Sequence, residues 1–438
     1  MIHVLWAIWG LASPAAAAPI LASHPAIPAP LQISTFATGL NYPYGMHVLA
    51  DGSLLAATSS PVSGGASLFG SNLQILRFTD TDGNGVADGP ATVVFNGPGG
   101  PATGMAGAGN VVAVATGTNT GSSILLLQTG AGGALTQIGA VQFTYPGFWW
   151  HDSHSVAVRE TPGGSYELLF NVGSEDNNVA TVNTVAISGL TNATLNPDSV
   201  YRLSFTVAGN TATATGLTQM ASGLRNGFGL AFDASGNAYI ADNGIDLSGN
   251  TPLSADELNF APAAGAPADF GFADTYIDYA TGAQVGASGT LPLVAFLPQG
   301  GLRSEGPAGM TMAPAGFPST LNNGLFIGFH GVGSAGGTAN DENPVVFVDL
   351  ATNQYFHFLL GGQDGQGHLN SLAASPDALF VADLSSTGSL NQTGTGVIYR
   401  IGLADTPVPE PSTGMLTAAM LCAAGSFRFF RARIRRGC

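Results

Sequence analysis

Oxygen-bearing side chains recur at alternating positions in one short stretch of the sequence. Asp80, Asp82 and Asn84 are separated by single residues, and Asp88 closes the stretch. This spacing resembles the first part of calcium-binding loops, because a hard cation such as Ca²⁺ takes oxygen ligands. The bidentate glutamate that ends an EF-hand loop is missing, and an acidic turn between two strands has the same composition. The sequence therefore predicts either a calcium site or such a turn.

Two histidines, His151 and His154, follow directly on an aromatic run at residues 148–150. A neutral imidazole can accept a proton near neutral pH because its ordinary pKa is about 6.5. A zinc site would need a third ligand, and none is evident nearby, although His330 and His368 lie in equivalent loops of later repeats. The pair is therefore a candidate either for contact with a ligand or for packing in an aromatic-lined loop.

Basic residues are scarce over most of the chain. The 438 residues contain eleven arginines and no lysine, and five of the arginines fall in the last eleven residues. The residues before Asp405 include six arginines and twenty-five acidic residues. A surface this acidic repels nucleic acid and anionic membranes, so we expect no nucleic-acid partner.

The amino terminus has the pattern of a secretory signal peptide. A short apolar run at residues 4–12 is followed by small residues at 13–18 that offer cleavage positions. We therefore predict that residues 1–18 are a signal peptide and that the chain is exported to the cell envelope or beyond it. Both cysteines, Cys422 and Cys438, lie near the carboxy terminus, so we expect no disulfide in the folded domain.

The carboxy terminus combines three elements in a fixed order. Pro409, Glu410 and Pro411 precede an apolar stretch at residues 414–427, and an arginine cluster ends the chain. This order resembles the PEP-CTERM sorting signal. The resemblance implies that an exosortase reads residues 406–438, while a short apolar helix holds the tail transiently in the inner membrane with its arginines in the cytoplasm. An ordinary single-span anchor is the alternative, and in either case this helix lies outside the fold.

One unit recurs six times between the two ends. Each unit is a short apolar strand, a polar turn rich in Gly or Asp, and a second apolar strand. The units lie at residues 45–52, 105–115, 154–172, 229–241, 309–328 and 369–382. Their starts are roughly fifty to eighty residues apart, which is enough for one four-stranded blade each. The sequence therefore predicts an all-β fold, a six-bladed β-propeller over residues 31–403, with a β-sandwich as the alternative.

The fourth unit carries a family resemblance. Residues 223–233, with the segments at 241–244 and 256–259, resemble the glucose/sorbosone dehydrogenase family, and the segments at 39–45 and 396–401 support the likeness. Members of that family are six-bladed propellers, and the characterised ones oxidise sugars with pyrroloquinoline quinone, often with bound calcium. The resemblance therefore implies the same fold, with this quinone and calcium as expected cofactors.

The resemblance also implies roles for individual residues. His151 matches the family's general base, which removes a hydroxyl proton while hydride leaves the neighbouring carbon. Arg225 matches the arginine that contacts the quinone, and Asn226 beside it is an orienting amide. The backbone carbonyls of Gly244 and Ile245 match positions that hold the cofactor's calcium.

Several functions stay open at this point. One is a quinone-dependent sugar dehydrogenase, and a second is a propeller that binds carbohydrate or protein without catalysis. The family holds the quinone's carboxylates with a lysine and late arginines, whereas this chain has no lysine and reads Gly367-His368 where an arginine is expected. Whether Arg159, Arg225 and Arg303 converge on the central funnel of the propeller, or Arg225 alone does, distinguishes the two. A third function, a calcium-dependent lactonase, needs a ring of carboxylates that the sequence does not locate.

Overall fold

The computed structural model describes residues 19–61, 71–118, 121–245, 254–297, 306–331, 344–360 and 368–403. Regular structure within these ranges consists of strands, together with one short 3₁₀ turn at Ala131–Gly133. In the described ranges we find no helix long and apolar enough to cross a membrane. The predicted signal peptide at 1–18 and the predicted sorting tail at 406–438 lie outside the described residues.

The strands are numbered in chain order. The first fourteen are β1 Ile20–Leu21, β2 Leu31–Leu40, β3 Met46–Val48, β4 Leu54–Pro61, β5 Ser71–Phe78, β6 Thr92–Gly99, β7 Ala102–Ala108, β8 Val111–Thr118, β9 Gly121–Thr129, β10 Leu135–Thr144, β11 Val156–Glu160, β12 Tyr166–Val172, β13 Val185–Gly189 and β14 Ala193–Leu195. The next nine are β15 Ser199–Ala208, β16 Thr211–Ser222, β17 Gly229–Phe232, β18 Ala238–Asp242, β19 Asp256–Ala261, β20 Ala268–Asp269, β21 Tyr276–Ile277, β22 Gln284–Val285 and β23 Val294–Phe296. The last seven are β24 Pro307–Met312, β25 Gly324–Phe329, β26 Val345–Asp349, β27 Gln354–Leu360, β28 Ser371–Ala374, β29 Ala378–Asp383 and β30 Gly396–Leu403.

Apart from β21 and β22, which pair in a separate two-stranded sheet, the strands form six blades, each built on antiparallel strands, so the predicted all-β six-bladed propeller is confirmed. Blade 1 is β3-β4-β5-β6, blade 2 is β7-β8-β9-β10 extended by β13 and β14, and blade 3 is β11-β12-β15-β16 extended by β20. Blade 4 is β17-β18-β19-β23, blade 5 is β24-β25-β26-β27 with β1 at its edge, and blade 6 is β28-β29-β30 with β2 at its edge. Five of the six predicted units coincide with the inner hairpin of one blade, and the unit at 45–52 covers β3 and the turn that leads to β4.

The innermost strands of the blades form a closed ring. β3 contacts β7, β7 contacts β11, β11 contacts β17, β17 contacts β24, β24 contacts β28, and β28 contacts β3 again. The ring is fastened by β2, which comes from the start of the fold and pairs beside β30 from its end. Strands from both ends of the domain therefore share one blade, and separating them would open the ring.

Both faces of each blade are buried, which explains why its strands read as continuous apolar runs. On β8, Val111 and Ala113 lie in one core cluster with Phe170 of blade 3. Val112 and Val114, whose side chains point the other way, belong to a second cluster shared with blade 1. The two-residue period of a strand thus appears here as two apolar stripes, one for each neighbouring blade.

The loops that lead into the inner strands meet at one face of the ring, which we call the mouth. The mouth residues that bear on function are Tyr44, His151, Ser174, Arg225, Asn226, Phe228, Asn243, His330, His368 and Asn370. A cavity of about 420 Å³ follows the axis of the ring, lined by the inner strands. Tyr44, Phe228 and Asn370 line it at the mouth, whereas Asp233 and Ala374 line it at the far ends of the inner strands.

Candidate functional site

The loop that carries Arg225 and Asn226 is held by a single buried carboxylate. The backbone N–H of Arg225 donates to Asp242 Oδ2 at 3.0 Å, and the backbone N–H of Asn226 donates to Asp242 Oδ1 at 2.7 Å. Gly223, which opens the loop, has a φ of +65° and leaves no room for a Cβ, which would lie 2.3 Å from the backbone nitrogen of Gly271. Asp242 at the end of β18 therefore fixes the position of both predicted cofactor contacts.

The Arg225 side chain is bonded to neutral oxygens of its own surroundings. Its Nε–H donates to the Asn177 carbonyl at 2.8 Å, and Nη1 donates to the Asn243 carbonyl at 3.3 Å. The side-chain amide oxygens of Asn177 and Asn243 accept two further hydrogen bonds from the guanidinium. Arg225 is 3% exposed, so its positive charge acts on the mouth mainly through space.

His151 is held in one tautomer with its proton on Nδ1. Nδ1 lies 3.0 Å from the Ser174 carbonyl and 2.8 Å from Ser174 Oγ, whose own hydroxyl donates to the Asp176 carbonyl at 2.6 Å. Because a carbonyl can only accept, Nδ1 carries the proton and Nε2 keeps its lone pair. Burial, and then the Arg225 charge, lower the pKa of His151 to about 3. The ring is therefore uncharged at neutral pH, and its Nε2 can accept a hydrogen bond.

A glycine makes room for this histidine. A Cβ at Gly173 would lie 2.5 Å from the Cβ of His151 and 3.0 Å from Asn226 Oδ1. Asn171 at the end of β12 donates from Nδ2 to the same Asn226 oxygen at 3.2 Å. His151 and Asn226 thus lie close together across the loops of blades 3 and 4.

His154 belongs to the core rather than to the mouth. Its Nδ1–H donates to the Asn171 carbonyl at 2.6 Å, and its Nε2 lies 2.7 Å from Ser122 Oγ. The ring stacks on Phe143 with centroids 3.8 Å apart and has no exposed surface. Burial lowers the pKa of His154 to about 4. Of the two interpretations of the histidine pair, packing therefore holds for His154.

The opposite side of the mouth carries a second histidine pair. His368 Nδ1 donates to the His330 carbonyl at 2.7 Å, and the two rings lie 4.3 Å apart. Asn370 Nδ2 lies 2.7 Å from His330 Nδ1 and donates to Tyr44 Oη at 3.2 Å. Asn370 itself is only 1% exposed. Its Oδ1 has no hydrogen-bond partner among the described residues, although it is buried beside the axial cavity.

Sequence reasoning missed this asparagine. The segment at 367–370 was notable for a missing arginine, and the amide two residues after His368 attracted no prediction. One sequence signal could have indicated it: Asn370 lies directly before the inner strand β28. His151 and Arg225 likewise lie in the loops that precede the inner strands of their blades. What makes Asn370 unusual is its unmet acceptor, and only packing reveals that.

Three acidic residues lie behind the Arg225 loop. Asp242 stands opposite Glu257 in the pairing of β18 with β19, and Asp256 is the neighbour of Glu257. Burial, reinforced by Asp242 and Asp256, raises the pKa of Glu257 to about 8. Burial likewise raises the pKa of Asp242 to about 7, against the opposing effect of the Arg225 loop. The region is therefore less negative at neutral pH than its composition indicates.

Gly244 and Ile245 present their backbone N–H groups to this acidic region. Gly244 N–H donates to Asp256 Oδ1 at 2.8 Å, and Ile245 N–H donates to Ser254 Oγ at 2.5 Å. Gly244 is closely packed, since a Cβ there would meet the Ser254 carbonyl oxygen at 2.3 Å. The chain next enters residues 246–253, outside the described ranges. Calcium binding by the two carbonyls stays a prediction.

The acidic stretch at 80–88 lies between β5 and β6, away from the mouth. Carboxylate oxygens of Asp80, Asp82 and Asp88 lie within 4.8 Å of one another. The same oxygens accept hydrogen bonds inside the loop, with Asn84 N–H at 3.1 Å from both Asp80 and Asp82. The Asn84 side-chain oxygen is also engaged, since it accepts from the Val86 N–H at 2.8 Å. Both interpretations from the sequence, a calcium site and an acidic turn, are compatible with this geometry.

Of Arg159, Arg225 and Arg303, the first two lie in the described part of the chain, and they do not meet: Arg159 lines the axial cavity at its far end, whereas Arg225 lies at the mouth. Arg159 lies near the far end of β11, where Nε donates to Glu167 at 2.6 Å and the guanidinium lies over Phe232. Arg303 lies outside the described residues. The other described arginines away from the mouth are each within ion-pair distance of a carboxylate, namely Arg77 with Asp51, Arg202 with Glu167 and Arg400 with Asp377.

The fold is shared with solved sugar dehydrogenases. A PQQ-bound aldose sugar dehydrogenase from Streptomyces coelicolor matches with a TM-score of 0.53 and 16% identity, covering 86% of this chain and 99% of that one. A calcium structure of a Trichoderma reesei enzyme of Carbohydrate-Active Enzymes Family AA12 matches with a TM-score of 0.54 and 16% identity, covering 88% and 97%. The soluble aldose sugar dehydrogenase of Escherichia coli, in its apo form, matches with a TM-score of 0.53 and 13% identity, covering 85% of this chain and 99% of that one. No family model and no curated protein matches the chain. At these identities the likeness shows a common propeller fold.

Replacing Glu257 by glutamine is expected to stabilise the protein increasingly as the pH rises. The folded chain holds the pKa of Glu257 near 8, well above its ordinary value of 4.5, so wild-type stability falls as the pH rises from the ordinary value through the folded one. Glutamine cannot ionise and still accepts a hydrogen bond. Urea unfolding at about pH 5 and about pH 9 measures the effect, with the larger gain at the higher pH.

The exposed Glu160→Gln variant is the matched control and is expected to follow the wild type at both pH values. A Glu257→Gln gain that is equal at the two pH values would contradict the raised pKa.

Proposed function

We propose that the mouth of this propeller binds a sugar. The observation that supports the proposal most strongly is Asn370 Oδ1, a buried acceptor with no partner among the described residues at the entrance of the axial cavity. An unmet buried acceptor costs about 1–3 kcal/mol, and a ligand hydroxyl that donates to it recovers that cost. Hydroxyl groups are the donors that a sugar offers.

The charge state of the mouth supports a neutral ligand. His151 and His330 are uncharged at neutral pH, because burial lowers the pKa of each to about 3. Burial also raises the pKa of Tyr44, so its hydroxyl stays protonated. The edge-to-face pair of Tyr44 and Phe228, with centroids 6.1 Å apart, adds apolar surface beside these polar groups. Apolar surface with a few placed polar groups is the usual form of a small-molecule site.

The described mouth does not fit pyrroloquinoline quinone, which the resemblance implied as cofactor. That quinone carries three carboxylates, and carboxylates are best held by charge-assisted hydrogen bonds from arginine or lysine. Among the described residues, Arg225 is the one arginine at the mouth, and its guanidinium is bonded to Asn177 and Asn243. Arg303 is the only arginine between residues 19 and 403 that the described ranges omit.

A sugar dehydrogenase is the second candidate, and His151 is the observation that favours it. The ring is uncharged, its tautomer is fixed by Ser174, and its Nε2 lone pair is available to accept a hydroxyl proton. The solved structures of similar fold include aldose sugar dehydrogenases. A dehydrogenase would need more cationic side chains than Arg225 to hold the carboxylates of the quinone. Arg303, outside the described residues, is the remaining arginine between residues 19 and 403.

Calorimetric titration of the full chain with a panel of aldoses tests the sugar site. At least one aldose is expected to bind, and Asn370→Ala is expected to weaken it by about tenfold, the effect of losing roughly 1.4 kcal/mol. The exposed Asn391→Ala is the matched control and is expected to bind as the wild type does. Failure of every aldose to bind, or an unchanged affinity in Asn370→Ala, would contradict the proposal.

The same samples separate the two candidates when calcium, the quinone and a redox dye are added. Aldose binding without dye reduction supports a binding protein. Dye reduction that depends on the quinone and disappears in His151→Ala would establish the dehydrogenase.

We propose that the loop at 80–88 binds calcium, on the strength of its three clustered carboxylates. Calcium at about one hundred times its Kd is then expected to raise the free energy of unfolding by about 2.7 kcal/mol. The Asp82→Asn/Asp88→Asn double variant should lose this gain, whereas the exposed Asp274→Asn should keep it. Urea unfolding with and without calcium measures the difference, and equal gains in all three proteins would exclude this loop.

We propose, from the sequence, that the chain is exported and that an exosortase sorts it through residues 406–438. In a host with an exosortase, replacing Pro409, Glu410 and Pro411 by alanine is expected to leave the chain in the inner-membrane fraction. Thr413→Ala is the control and should be processed normally. Fractionation and immunoblotting measure the outcome, and normal release of the triple variant would rule out this signal.

A further inference from the structure

Two large aromatic side chains stand in solvent immediately before His151. Phe148 is 70% exposed and Trp150 is 59% exposed. Their rings contact each other edge to face, with centroids 5.9 Å apart. Neither ring takes part in the mouth contacts described above. The two rings in mutual contact form one small apolar patch beside the candidate site, and an aromatic surface of this kind can stack against a ligand.

The backbone beneath the two rings is anchored. Trp149, which lies between them in the chain, is 3% exposed and its Nε1–H donates to the Gly173 carbonyl at 3.0 Å. The Trp149 ring packs on Tyr145 with centroids 5.1 Å apart, and the Trp150 N–H donates to the Glu175 carbonyl at 3.1 Å. The exposed rings are therefore held in place before any ligand arrives, which reduces the entropy cost of binding.

The size of the pair decides between a protein and a sugar as the occupant. A buried aromatic side chain covers about 150–250 Å², so two rings exposed to this extent present on the order of 250 Å². A stable protein interface needs about 800 Å² on each partner, several times more. An area of this size suits one or two pyranose rings, whose faces of C–H bonds are apolar and whose edges carry hydroxyls.

Polar acceptors next to the rings suit those hydroxyl edges. Glu175 is partly buried beside the Trp150 backbone and accepts from Asn183 Nδ2 at 2.7 Å. Asp152 follows His151 directly in the chain. Asp176 lies two residues after Ser174, the residue that His151 Nδ1 contacts. The described loops around the pair therefore offer carboxylate and amide groups to a ligand. The Arg225 guanidinium is already hydrogen-bonded to Asn177 and Asn243.

We propose that Phe148 and Trp150 form a stacking platform for a glycan chain, one ring of which rests on the platform while the next enters the mouth at His151. The preferred ligand is then an oligosaccharide or polysaccharide, and free monosaccharides fill the mouth alone. The mouth half of this arrangement rests on the proposed sugar site, whereas the platform stands on its own geometry.

Tryptophan fluorescence reports on the platform directly. The chain has four tryptophans, and in a full-length Trp6→Phe/Trp9→Phe background only the buried Trp149 and the exposed Trp150 emit. The probes are cellohexaose, xylohexaose, mannohexaose and chitohexaose, each with its monosaccharide. At least one hexasaccharide is expected to change the Trp150 emission and to bind at least about tenfold more tightly than its monosaccharide.

Variants separate the platform from the mouth. Trp150→Ala and Phe148→Ala are each expected to weaken hexasaccharide binding about tenfold, measured by calorimetry, and to leave monosaccharide affinity unchanged. Val182→Ala, at a 92% exposed apolar residue of the neighbouring loop, is the control and should bind as the parent does. Unaltered emission of Trp149 in Trp150→Ala verifies that the loop is folded.

The proposal is overturned if no hexasaccharide binds more tightly than its monosaccharide, or if the Phe148→Ala/Trp150→Ala variant binds hexasaccharides as the parent does. In Asn370→Ala the hexasaccharide should still change the Trp150 emission. Loss of the sugar site in the mouth and loss of the platform are therefore distinguishable.

Discussion

The pairing of β2 with β30 is the interaction on which the rest of the structure depends. A propeller of separate blades has two open ends, and here strands from both ends of the domain share blade 6. That closure also completes the mouth, because it brings Asn370 of blade 6 within 3.2 Å of Tyr44 of blade 1. The strand pairing that stabilises the ring therefore also positions the polar groups at the entrance of the axial cavity.

The closed ring imposes a condition on the groups at the mouth. Side chains at the mouth are largely buried, and burying a charge that has no partner is energetically costly. The chain meets this condition with neutral histidines, acidic groups of raised pKa and an arginine bonded to amide and carbonyl oxygens. Such a mouth is suited to hydrogen bonds with a neutral ligand more than to the capture of an anion. Solved sugar dehydrogenases share this propeller architecture, so the groups at the mouth, and not the fold, decide the function of this chain.

The inner hairpins were predictable from the sequence, because a strand buried on both faces must be apolar throughout and its turn must be polar. The six units at 45–52 through 369–382 carry this signal locally. His151 was predicted from the family resemblance, whereas Ser174, which holds its tautomer, was not singled out and lies just after β12 of the same blade. The unmet acceptor of Asn370 and the enclosure of Arg225 by Asn177 and Asn243 depend on loops distant in sequence. Those features follow from packing, which no local pattern encodes.

The proposed sugar site depends on one contact, between a ligand hydroxyl and Asn370 in the mouth. The most direct measurement is electron density in crystals of the full chain grown with calcium and soaked either with an aldose or with pyrroloquinoline quinone. We expect a sugar hydroxyl within hydrogen-bond distance of Asn370 Oδ1 in the first crystals and no ordered quinone in the second. Ordered quinone in the mouth, with its carboxylates paired to arginine, would contradict this expectation.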